Sequence, residues 1–143
     1  MTPEGKQKLK VLLAKHESYK QFPSSDISGH LMIGVGRNLS DRGISVNEAY
    51  YLLDDDISYF FNKLCYLLDF FEELNEARRI VLIDMCFNLG VQGLLGFEDM
   101  LSALKDGDYN SAADEMLKSK WFHQVGERAE CLADIMRKGY MDD

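Results

Sequence analysis

Two carboxylates near the start of this 143-residue chain stand where acid–base chemistry could use them. Glu17 closes an amphipathic run, and Asp26 follows after eight intervening residues in a Ser/Asp/Gly-rich turn. One carboxyl leaving a helix and one held in a turn can flank a bond, one as proton donor and the other as a negative charge. The partial negative charge of a helix C-terminus disfavours a carboxylate, so the pKa of Glu17 is expected to rise, which suits a general acid. Each residue also has a plainer reading taken alone. Glu17 would be a solvated glutamate on a last turn, and Asp26 an Asx-turn residue.

The elements that must position this pair are legible in the pattern. Thr2 can cap a helix with Pro3 at its first position, where a missing N–H costs nothing. Leu9, Leu12, Leu13 and His16 then mark one face of that helix, with Glu17 at its end. Tyr19 to Pro23 alternates weakly and runs into the turn cluster Pro23-Ser24-Ser25-Asp26. Leu31 to Val35 reads as a short apolar strand, with Gly29, Gly34 and Gly36 permitting hairpin geometry or close backbone approach. These segments predict a small twisted antiparallel sheet, followed by a polar loop over Arg37–Ile44.

Ser45-Val46-Asn47-Glu48 is a capping box opening a long helix whose apolar face runs from Ala49 to Leu64. Around Leu67–Phe71 the chain is apolar on nearly all sides, which predicts burial. A helical series follows. Asn75 caps a helix over Glu76–Leu89 stopped by Gly90; Phe97–Asp106 ends at Gly107; Asn110 caps Ser111–Lys118; a last helix over Glu127–Lys138 stops at Gly139. The fold class is α+β, a small antiparallel sheet lobe joined by a long helix to a larger helical lobe. As a single domain, the expected division is a sheet lobe over about 18–45, a connecting helix over about 46–64, and a helical lobe of about 1–17 and 65–143.

Composition excludes several classes. Sixteen Lys/Arg against 24 Asp/Glu leave a formal charge of −8, with no basic stripe for nucleic acid or an anionic membrane. The longest apolar runs fall far short of the roughly 20 residues of a membrane span, and the N-terminal residues carry no secretory-signal pattern. Cys65, Cys86 and Cys131 are odd in number and widely spaced, so they read as reduced, mostly buried thiols. No metal or other cofactor is expected.

Together these residues resemble the phage-type lysozyme (muramidase) family. Its pattern is a helix ending in Glu, eight residues to Asp, five more to Thr, and then an Ile-Gly-x-Gly strand. Glu17, Asp26 and Met32-Ile33-Gly34-Val35-Gly36 reproduce that register. The second half carries Phe87-Asn88-Leu89-Gly90, Gly96-Phe97, Ala112-Ala113, Ser119-Lys120-Trp121 through Gln124, and Arg128-Ala129 in the family's order. The resemblance implies hydrolysis of the β-1,4 bond between N-acetylmuramic acid and N-acetylglucosamine, with Glu17 as acid and Asp26 as the opposing carboxylate, a pair that suits an oxocarbenium-like transition state.

The family threonine that helps hold the attacking water is Met32 here, and a thioether is a poor acceptor and no donor. Ser24, Ser25, Ser28 or His30 lie close enough in sequence to substitute. The resemblance further implies Arg128 as electrostatic partner of the acid, and Asn38, Phe87, Asn88, Lys120 and Gln124 as substrate-binding. By spacing alone Phe87 fits core, and Trp121 a buried anchor. Arg37 aligns to pair with Asp56 and brace the sheet against the long helix.

The leading expectation is a monomeric endolysin that takes peptidoglycan glycan strands and neither nucleic acid nor a membrane as partner. It would be made in the host cytoplasm and act at the wall or periplasm after release through a separate pore. The alternative is a catalytically weak or silent muramidase-like module that binds peptidoglycan or a protein partner through the same cleft.

Overall fold

The first helix, α1 (Pro3–Glu17), starts as its sequence predicts, with Thr2 Oγ1 accepting the Gly5 N–H at 3.0 Å and Pro3 in the first turn. A computed structural model describes residues 1–142 and places three strands after α1: β1 (Tyr19–Ser25), β2 (Leu31–Val35) and β3 (Arg37–Asn38). They form one antiparallel sheet in the order β1-β2-β3. β1 runs two residues past the expected turn at Pro23. Its register shifts between Lys20 and Ser24, so Pro23 falls in a bulge of an edge strand, where a missing N–H removes no ladder bond. β3 lies in what the sequence offers as a polar loop. Two residues paired to Met32 and Ile33 are too short for a periodic signal.

The helix α2 (Val46–Leu67) opens on the predicted capping box, with Glu48 Oε1 accepting the Ser45 N–H at 2.9 Å and Ser45 Oγ accepting the Glu48 N–H at 3.1 Å. The chain divides into two compact units, Met1–Leu52 and Leu53–Asp143, the division falling inside α2.

The second unit holds α3 (Glu76–Leu95), α4 (Glu98–Lys105), α5 (Tyr109–Lys118), α6 (Lys120–Val125) and α7 (Glu127–Lys138). Asn75 caps α3 as expected, and its first helical segment stops at Gly90, as the sequence predicts. Gly90 takes φ 72° and breaks the helical geometry locally, after which helical bonding resumes to Leu95. The cap of α5 is Asp108 rather than Asn110: its carboxylate accepts the Ser111 N–H at 3.1 Å and the Ser111 hydroxyl at 2.7 Å. α6 is absent from the sequence reading, although Ser119, whose hydroxyl accepts the Phe122 N–H, is an ordinary start signal. α7 ends at Gly139 in the left-handed region, as predicted.

Every buried residue among those described lies in the second unit, from Leu64 to Met136. Four methionines, Met85, Met100, Met116 and Met136, are fully buried with Phe71, Leu82 and Leu94. Such unbranched side chains fill the irregular gaps between short helices. Of the cysteines Cys86 is buried, and burial pushes its thiol up to about 11. Cys131 is exposed, against expectation, because it faces outward on α7. Charge divides as unevenly as burial. The first unit carries seven Lys/Arg against five Asp/Glu and the second nine against nineteen, giving formal charges of +2 and −10. Among the described residues, no single helix is long and apolar enough to cross a membrane.

Candidate active site

Glu17 is the last residue of α1 and lies against the backbone of Gly36, just past β2. A Cβ built on Gly36 would stand 2.9 Å from Glu17 Cγ and 3.2 Å from its Oε2, so only glycine lets the carboxyl lie there. Gly36 also takes φ 70°, a second reason for glycine. The residue after Glu17, Ser18, adopts φ 63° and ψ 159°, a region that side-chain-bearing residues rarely occupy. Strain therefore sits beside Glu17, at the corner where α1 gives way to β1. Among the described residues the Glu17 carboxyl has no hydrogen-bond or ion-pair partner.

Asp26 is held by one residue. Its Oδ1 accepts the His30 N–H at 2.8 Å, and its Oδ2 lies 3.2 Å from His30 Nδ1. The backbone closes the same turn, with the Asp26 N–H donating to the His30 carbonyl at 2.9 Å. The His30 N–H, above all, holds the Asp26 carboxyl below the usual aspartate value; desolvation opposes it, and the imidazole adds a smaller lowering effect.

Met32 is the middle of a cross-strand row, paired to Ser24 of β1 and Asn38 of β3. Directly opposed residues share a face of the sheet, so the Ser24 hydroxyl and the Asn38 amide flank the thioether on that face. The Asn38 amide donates to Asp41 Oδ2 at 3.2 Å and its oxygen accepts the Asp41 N–H at 3.0 Å, while Ser24 makes no side-chain hydrogen bond among the described residues. Of the nearby groups able to stand in for a threonine, Ser24 has the position and a free hydroxyl.

Arg37 pairs with Glu48 and not with Asp56. Its second nitrogen donates to the Gly43 carbonyl at 3.0 Å. The capping box explains the change of partner, because Glu48 is already turned back toward the helix start, next to β3. The pair still braces sheet against helix, at the first turn. Arg37 first, then Ser45, lowers the Glu48 carboxyl to about 2.

The remaining residues lie in the second unit. Arg128, in the first turn of α7, donates from Nε to Asp84 Oδ1 at 2.8 Å and from a terminal nitrogen to the Asp84 carbonyl at 3.1 Å. Asp84 had no signal in the sequence beyond lying on a predicted helix. Phe87 stands edge-on to Phe60, with ring centres 5.0 Å apart, and lines an apolar hollow of about 380 Å³ with Ile57, Ile80 and Ile83. It is still 40% exposed, so it is both packed and reachable. Asn88 Oδ1 accepts the indole N–H of Trp121 at 2.6 Å, and Trp121 is buried against Phe97, the anchor expected of it. Lys120 and Gln124 are exposed on α6 without a side-chain partner among the described residues.

A family model described as Phage lysozyme matches residues 14–138. The chain belongs to the phage lysozyme family. Among curated proteins it is similar to the probable T4-type lysozyme 1 of Dictyostelium discoideum, 26% identical over 102 residues that make up 69% of this chain and 60% of that protein. It is also similar to the pre-baseplate central spike protein Gp5 of Enterobacteria phage T4, 26% identical over 113 residues, 76% of this chain and 20% of that protein. The chain therefore spans less than two thirds of the length of either relative. The α+β architecture, with a small antiparallel sheet and a larger helical unit, is that expected of a lysozyme-like member.

Proposed function

We propose that the chain is a muramidase, hydrolysing the β-1,4 bond between N-acetylmuramic acid and N-acetylglucosamine in peptidoglycan, and that it acts as an endolysin. The observation that carries this reading is the contrast between two carboxyls of one unit. Asp26 is held ionised by His30, whereas Glu17 is left without a partner on a glycine floor. Two carboxyls in different settings are what acid and counter-charge require. Glu17 would protonate the leaving oxygen, and Asp26 would face the positive charge that develops on the sugar. Asn38, Phe87, Asn88, Lys120 and Gln124 are the residues proposed to meet substrate. Amides suit N-acetyl and hydroxyl groups, and an aromatic face suits a sugar ring. Arg128 is proposed to act electrostatically on the acid. The working form is a monomer, made in the host cytoplasm and delivered to the wall through a separate pore.

A second reading, a module that binds glycan without cutting it, is favoured by Met32. The likeness to a spike protein supports a particle-borne setting as the alternative to a free endolysin.

The test is turbidity loss of purified peptidoglycan with wild type, Glu17→Gln and Met32→Thr. The muramidase reading expects clearing by wild type and none by Glu17→Gln. Clearing only by Met32→Thr would establish the binding module, and clearing by none of the three would remove the enzyme reading.

A further inference from the structure

His30 stands between two carboxylates from different parts of the chain. Its Nδ1 is 3.2 Å from Asp26 Oδ2 in its own hairpin turn, and its Nε2 is 3.7 Å from Asp41 Oδ2 in the loop after β3. An ionised carboxylate only accepts, so the Asp26 contact requires the ring proton on Nδ1. The second nitrogen then points a lone pair at Asp41 when the ring is neutral and an N–H when it is protonated. Asp41 is itself fixed by Asn38 through two hydrogen bonds. The hydrogen-bonded pairs Asp26–His30 and Asp41–Asn38 thus meet across a 3.7 Å contact, which becomes an ion pair when the ring is protonated. Asp26 and Asp41 are the charged groups facing the ring from the turn and from the loop.

Asp26 gains a fixed orientation from this arrangement. His30 holds both carboxylate oxygens, one through its backbone and one through its ring, and so removes rotation about the Asp26 side chain. A carboxylate offers about four lone-pair sites, so two remain for water or a sugar hydroxyl, now in set directions.

We propose that His30 is a positioning residue for Asp26, with Asp41 as its backstop, and that this clamp holds the second carboxylate in register for glycoside hydrolysis. The inference rests on the muramidase reading and deepens it, since the family pattern gives residue 30 no role toward Asp26.

The experiment compares reducing-end release from purified peptidoglycan by wild type, His30→Ala, His30→Asn and Asp41→Asn. A carbon-13 titration of the Asp26 carboxyl accompanies it, and circular dichroism checks that each variant folds. The clamp predicts that His30→Ala lowers kcat about tenfold to a hundredfold with little change in KM, as expected for a misplaced reacting group. The Asp26 titration should move upward in the same variant. His30→Asn, whose amide nitrogen can occupy the place of Nδ1, should recover most of the loss, and Asp41→Asn should fall between. Active wild type with kcat unchanged in His30→Ala would overturn the clamp and leave the muramidase reading intact. An equal loss in folded His30→Ala and His30→Asn with an unmoved Asp26 titration would also overturn it. Inactive wild type would overturn both.

Discussion

Gly36 shows how closely the backbone approaches Glu17, and it gives the sharpest prediction at the scale of single residues. Gly36→Ala must place a methyl group within van der Waals distance of the acid's side chain, at a backbone angle unsuited to alanine. The strained backbone should cost about 1–3 kcal/mol in urea unfolding, and displacing the acid should lower turnover by about two orders of magnitude. A loss of stability with full specific activity would mean that Glu17 tolerates displacement. The Arg37–Glu48 pair gives a pH signature. The Glu48 carboxyl falls from an ordinary 4.5 to about 2 on folding, so on acidification the unfolded chain takes up the proton first. The stabilisation is fully present above about pH 4.5 and is lost as pH falls toward 2. Glu48→Gln should therefore flatten the fall in melting temperature across that window; an unchanged acid limb would show the pair to be inconsequential. At this scale the sequence was informative on placement, with Glu17 at a helix end, Asp26 in a turn and the capping box at the start of α2. It was silent on the contacts of His30 with Asp26 and Asp41, on Asp84 and on the Ser18 backbone, because these depend on which residue folding brings alongside, and it misassigned the partner of Arg37 for the same reason.

Among the elements, the helix starts and stops were legible because caps are local chemistry. Thr2, Ser45, Asn75 and Gly139 act as their types predict. The failures also have local causes. Asp108 takes the cap that Asn110 could have supplied, and α6 is too short to show a period. α6 nevertheless has an anchor. Trp121 is buried with its indole N–H on Asn88 of α3, so Asn88 joins two helices as well as being a proposed sugar contact. Asn88→Ala should leave that N–H without its acceptor and lower stability by about 1–3 kcal/mol in urea or thermal unfolding. Unchanged stability with weaker substrate affinity would reverse the assignment, making Asn88 a ligand residue alone. At the other end of α3, Arg78 lies 3.5 Å over the Tyr109 ring and donates to the Met136 and Arg137 carbonyls. A Cβ on Gly139 would stand 2.8 Å from that guanidinium, so the glycine that ends α7 also makes room for the arginine that caps it.

For the whole molecule, the net charge of −8 conceals a division that a global count cannot reveal. The first unit is weakly positive while the second carries the entire acidic excess. The overall charge thus hides a locally lysine-rich element, with Lys6, Lys8, Lys10 and Lys15 all on α1. Burial follows the same division. The fold class was readable from patterning, but the concentration of every buried side chain in one unit was not, because amphipathic stripes such as that of α1 look alike whether covered or open. The first unit is held by its strand ladder, its caps and the Arg37–Glu48 brace, interactions that water can compete for. Heat inactivation should accordingly run ahead of melting. On a slow ramp, lytic activity would vanish several degrees before the helical signal at 222 nm, and would return on cooling while the methionine-rich core still stands. Coincident midpoints for activity and ellipticity would mean that the two units unfold as one. On the proposed function, the working lifetime would then be set by the part of the chain that bears Glu17 and Asp26, and thickening the helical core would lengthen it little.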